Sequence, residues 1–172
     1  MAKSVVILSS VAAKNVDAFV KSGMHKGSAL ENGNVVALGD KLDSAGEKDV
    51  YEVTTPATSG LDSDIFYMVY EPPMPVVAEK YKGLTDDPRE FDIPKDKVFN
   101  MFKPQVGDEI IVSEDGLDGS EADYAKPHDG EKDLTFSADT SGVTLAWKNE
   151  GETFISIGNE RVKAYKLVCV KA

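Results

Sequence analysis

Asp64-Ile65-Phe66-Tyr67-Met68-Val69-Tyr70 is the stretch on which the fold turns. It is rich in aromatic and β-branched residues and too short for a core helix, so it reads as a strand. Successive side chains of a strand point to opposite faces. Phe66, Met68 and Tyr70 therefore share one face, and Tyr67 and Val69 the other. Both faces are apolar. One set fills a core; the other must be covered by the 71–97 excursion or by another subunit. Glu71-Pro72-Pro73-Met74-Pro75 stops the strand, because proline cannot donate to a ladder.

The same signals recur on both sides. Upstream, Asn34-Val35-Val36-Ala37-Leu38 follows the turn Asn32-Gly33, and Val50-Tyr51-Glu52-Val53-Thr54 alternates. Downstream come Val98–Phe102, Glu109–Ser113 after the turn Lys103–Asp108, Leu134–Ser137, Gly142–Trp147, Thr153–Ile157 and Val162–Val170. About nine strands separated by turn signals predict a mainly β protein, a single barrel-like or sandwich body. The body spans residues 30–172. Within it, 71–97 is a long Pro-rich excursion with Pro72, Pro73, Pro75, Pro88 and Pro94. Tyr81, Phe91 and Ile93 inside that excursion call for packing, and are the candidate self-association residues.

Residues 1–29 read as an N-terminal arm. Val16, Phe19 and Val20 sit at helical spacing, a short stripe ended by Gly23 and Gly27, with a loose arm as the equal alternative because so short a helix is marginal alone. Residues 1–30 carry a net charge of +3, from Lys3, Lys14, Lys21 and Lys26 against Asp17, while the whole chain is at −11. A basic arm on an acidic body suggests docking on something acidic, either its own body or a partner. The candidate docking residues are Lys3, Lys14, Val16, Phe19, Lys21 and Lys26. Val5–Ala13 has the outline of a signal peptide but is short and broken by Ser9 and Ser10, so retention in the mature chain is expected.

Composition narrows the function. The 172 residues carry 30 acids against 19 bases, which argues against nucleic acid and against an anionic membrane surface as partners. No apolar run approaches the roughly 18–20 residues of a membrane-spanning helix. The single cysteine, Cys169, lies in the apolar run Leu167–Val170 and reads as a buried, inert thiol. His25 and His128 sit in polar, loop-like contexts, with no nucleophile motif, zinc spacing or phosphate loop beside them. No catalytic residue, no metal ligand and no cofactor is assigned. The acidic stretch 108–139 could offer oxygen ligands to calcium, but Glu114–Asp123 departs from the EF-hand spacing, so a solvated loop is the expectation.

Leu30–Gly39, Val50–Thr58, Phe66–Pro72, Lys80–Arg89 and Val106–Ile110, taken in succession, resemble small virion structural proteins of tailed bacteriophages. The likeness covers most of residues 30–170 and is one of overall pattern. Several such proteins are capsid decoration (cement) proteins, often trimers at threefold positions of the outer shell. The resemblance implies a non-enzymatic virion protein, made in the host cytoplasm, that binds the major capsid protein, reinforces the head and assembles as a homo-oligomer with a trimer favoured. A tail-tube, connector or fibre-base component is the alternative within the virion. A small calcium- or ligand-binding β module is the alternative outside it.

Overall fold

The computed structural model describes residues 3–42, 49–71 and 87–172. Twelve strands are present among them: β1 (Val6–Ser10), β2 (Val20–His25), β3 (Val35–Lys41), β4 (Val50–Thr54), β5 (Phe66–Val69), β6 (Val98–Phe102), β7 (Glu109–Ser113), β8 (Leu117–Asp118), β9 (Tyr124–Lys126), β10 (Leu134–Ser137), β11 (Ala146–Ile157) and β12 (Glu160–Lys171). Helical structure among the described residues is confined to short 3₁₀ turns. The mainly β expectation holds. The strand count exceeds nine because two strands lie in the supposed arm and two short ones in the acidic stretch. The segments around Gly142–Trp147 and Thr153–Ile157 contribute to a single long strand, β11.

β2, β4, β3, β5 and β6 close into a five-stranded barrel. β1, β7, β12, β11, β9, β10 and β8 form a seven-stranded sheet in that order. The strand 66–69 explains how the two pack. Tyr67 and Val69 point into the barrel, where they meet Leu30, Val36, Val53, Phe99 and Met101. Phe66 and Met68 point outward and join Val35, Ala37 and Phe102 against the sheet residues Ile110, Val112, Leu134, Trp147, Tyr165 and Leu167. Both apolar faces are thus covered within one chain, and no second subunit is required for either. Trp147 is fully buried. Its cross-strand neighbours are the small residues Ala125 and Cys169, which leave room for the indole. Each large apolar side chain buried here contributes about 1.5–3 kcal/mol before the entropy of ordering is subtracted.

The excursion, where described, also folds back. Leu30 and Ile93 exchange backbone hydrogen bonds of 2.9 and 2.8 Å, and Phe91 packs against the barrel interior. Ile93 is buried in its own chain and has no surface to offer another copy, which overturns its assignment to self-association. Phe91 is half-buried against the same core. Tyr81 lies outside the described residues.

The N-terminal segment is no free arm. β1 pairs antiparallel with β7, and β2 pairs with β4 and β6 inside the barrel. The helical stripe of Val16, Phe19 and Val20 is replaced by two 3₁₀ turns, Ala13–Asn15 and Asp17–Phe19, separated by Val16 in extended conformation. The physical reason is tertiary: a helix of this length is marginal alone, whereas Val11, Ala13, Phe19 and Val20 all find apolar cover in the shared core.

Glu31-Asn32-Gly33-Asn34 forms the joint between barrel and sheet. Gly33 has φ +90°, a conformation suited to glycine. A Cβ there would lie 2.6 Å from Val6 Cγ2 on β1. Gly130, at φ +76°, has open space around it instead. Gly33→Ala is therefore expected to cost about 2–3 kcal/mol, and Gly130→Ala about 1 kcal/mol, in urea unfolding monitored by Trp147 fluorescence.

Candidate functional site

The six docking candidates divide by position. Lys3 is tied down: its Nζ lies 3.1 Å from Glu31 Oε1 and 3.6 Å from Asp92 Oδ2, and its backbone N–H donates to Arg89 O at 2.7 Å. The Glu31 carboxylate holds the Lys3 ammonium above the usual lysine range. Lys26 pairs with Glu52 at 2.9 Å. Lys21 Nζ stands 4.4 Å above the Tyr51 ring and donates to the Tyr51 hydroxyl at 3.4 Å. Phe19 is half-buried against the shared core. These four serve the chain's own acidic and aromatic surface.

Val16 differs, while Lys14 beside it, like Lys21, stands over a ring of its own chain. Residues 14–18 are all exposed. Lys14 Nζ sits 4.5 Å from the Tyr70 ring. Val16 keeps 44% of its surface exposed although its neighbours Val11 and Ala13 are buried. The loop is anchored at both ends: Ala12 N–H donates to the buried Asp108 carboxylate at 2.7 Å, and Lys103 N–H donates to Phe19 O at 2.8 Å. A short, braced turn thus displays an aliphatic side chain beside a lysine.

Several carboxylates of the acidic stretch brace the chain, while Asp115, Asp118, Asp123 and Glu131 are exposed. Asp108 also accepts from Gln105 N–H at 2.9 Å. Asp129 accepts from Thr58 N–H at 2.8 Å, and hydrogen bonding by Thr58, its side chain first and its backbone N–H second, holds the carboxyl below the usual range. Asp139 accepts from Ser141 and Lys126 and is lowered to about 2, the Ser141 hydroxyl bond being the largest cause. Among the described residues no cluster of three or more acidic, histidine or cysteine side chains could hold a metal ion. His25 is buried and accepts from Ser28 N–H at 3.2 Å, while His128 is exposed and far along the chain. Cys169 is buried, and desolvation pushes its thiol up to about 12. A cavity of about 200 Å³ at the seam, lined by Ser63, Asp64, Phe66, Lys103, Pro104 and Thr144, is smaller than the roughly 300–1,000 Å³ of common ligand sites.

Asp133 is the perturbed carboxylate at the joint. It accepts from Asn34 Nδ2 at 2.7 Å across the barrel–sheet boundary. Burial, then the nearby Asp118 and Glu31, raise it from 3.8 to about 6. Sequence reading missed the pair, because Asn34 and Asp133 are 99 residues apart. A carboxyl raised on folding binds its proton more tightly in the native state, so stability falls as pH rises from 4 through 6. Asp133→Asn keeps an acceptor for Asn34 and removes the buried charge. It is expected to raise stability at pH 7 by about 1 kcal/mol, after discounting for the solvent that reaches the group. No gain is expected at pH 4, both read from melting curves. No protein-family model, no curated protein and no solved structure matches the chain.

Proposed function

We propose that the protein is a structural component of a phage particle that binds the outer surface of the head and reinforces its shell. The observation that carries this reading, beside the resemblance of residues 30–170 to small virion proteins, is the braced turn at 14–18. Val16 is one of several exposed aliphatic side chains, and what singles it out is its place on a braced turn, where it fits a docking contact. The turn is held between β1 and β2, so its presentation is rigid and little entropy is lost on binding. Lys14 and Asp17, both exposed on the same turn as Val16, suit a patch of mixed charge on the shell protein. Docking then proceeds through this turn and not through a loose arm, and its partner is the major capsid protein. Repetition over a lattice makes modest contacts add up where neighbouring copies touch.

Removing residues 1–24 would take out β1 and most of β2, so that truncation tests folding and not attachment. A point substitution separates the two. Val16→Asp is expected to change stability by less than about 0.5 kcal/mol, while binding to particles stripped of the protein weakens at least about 10-fold. The prior measurement is copy number in gradient-purified particles. A number comparable with the main shell protein, or a third of it, fits decoration of the whole lattice. A handful of copies moves the protein to the tail, connector or fibre base, and absence from particles overturns the virion reading.

A further inference from the structure

The seven-stranded sheet treats its edges unequally. β8, at one end, is two residues long. β1, at the other, is broken by an irregularity between Ile7 and Ser10. Both are common ways to blunt an edge against pairing with a foreign strand. From Gly151 to Ile157, where its register with β12 is regular, β11 is protected by neither. β9 covers its outer side only at Trp147 and Lys148. A bulge at Gly151, φ +117°, then carries the β11–β12 hairpin past the rest of the sheet. From Gly151 to Ile157 the outer side of β11 has no partner strand among the described residues. That segment holds one charge, Glu152, and neither proline nor lysine. Phe154 at its centre is 46% exposed.

We propose that this edge pairs with the same edge of a second copy, antiparallel about a two-fold axis at Phe154, to give a dimer. The hairpin loop is Gly158-Asn159, so Ile157 and Glu160 close it as a hydrogen-bonded pair. Counting back in alternation, Ile155 and Thr153 bond to β12, whereas Ser156, Phe154 and Glu152 direct their N–H and C=O groups outward. A register that places Phe154 opposite Phe154 of the partner subunit sets Glu152 opposite the partner's Ser156. Every one of those outward groups then finds a partner.

The side chains agree with that register. Arg161 lies over the Phe154 ring at 4.5 Å and has no ion pair among the described residues. Ser156 is its cross-strand neighbour on β11. The partner's Glu152, which in its own chain lies 3.5 Å from Lys163, would come next in the same row, so Arg161 faces a carboxylate shared with that lysine across a small serine, about 10 Å from strand to strand and within reach of two long side chains. Two-fold symmetry repeats the contact. The two phenylalanines form a cross-strand aromatic pair, a favourable combination. On the opposite face, the apolar cluster of Val5, Ile155 and Ala164 with Ile111 and Ile157 extends across the axis through Thr153 and Ile155. A second copy fits this edge because its hydrogen bonds, charges and apolar rows are complementary to themselves.

The inference concerns the isolated protein and does not depend on the virion reading. Sedimentation equilibrium of the full chain is expected to give a dimer. Phe154→Lys should raise the dimer dissociation constant at least about 100-fold while near-ultraviolet circular dichroism stays native. Arg161→Glu alone should also weaken the dimer, and its combination with Glu152→Arg should restore it. Phe154→Cys should cross-link to itself with a short bis-maleimide, whereas the wild-type chain, whose Cys169 is buried, should not. A wild-type monomer at all concentrations overturns the proposal and leaves the edge for a strand of a different protein. A dimer or trimer that survives Phe154→Lys, or a folded Phe154→Cys variant that fails to cross-link, overturns it as well.

Discussion

Coverage of both faces of β3 and β5 is the constraint on which the rest of the structure depends. Val36, Tyr67 and Val69 fill the barrel, and Val35, Ala37, Phe66 and Met68 press on the sheet. Two strands in one wall therefore belong to two cores. The barrel cannot be emptied of water without Leu30, Phe99 and Met101, and the outer face cannot be covered without Trp147, Tyr165 and Leu167. Removing either body would leave a row of large apolar side chains in solvent, at about 1.5–3 kcal/mol each. Barrel and sheet are for this reason one folding unit.

The polar joint follows from that packing. Where barrel and sheet meet, the backbone of 31–34 has to turn sharply beside β1, and its groups lose access to water. Glu31 accepts from Ser4 N–H, Asn32 exchanges hydrogen bonds with the backbone of Glu71, and Asn34 reaches Asp133. Gly33 supplies the positive φ and the missing Cβ that let β1 approach. The same joint keeps the N-terminal segment in place, so its lysines are spent largely on neighbouring carboxylates and rings. Among the features that the described residues leave exposed are the outward turn around Val16 and the projecting β11–β12 hairpin.

These two exposed features have different characters. The Val16 turn is small, braced and mixed in chemistry, suited to one contact among many on a repeating surface. The hairpin offers backbone groups in register along a strand, a larger and more specific surface.

Much of the β architecture was legible in the sequence. Alternation and turn residues marked strands at Val35, Val50, Phe66, Val98, Glu109, Leu134, Ala146 and Val162, since period-two patterning is a local property. The buried state of Cys169 was legible for the same reason. Tertiary structure alone decided the rest. Val6–Ser10 and Val20–His25 became strands because β7, β4 and β6 offered them ladders, a pairing no local pattern announces. Ile93 went into its own barrel and not to an interface because Leu30, distant in sequence, stood opposite. Asp133 shifted because folding buried it beside Asn34, Asp118 and Glu31. The free edge of β11 exists because β9 is short. Each of these depends on which distant segments meet, and local residue preferences carry no information about that.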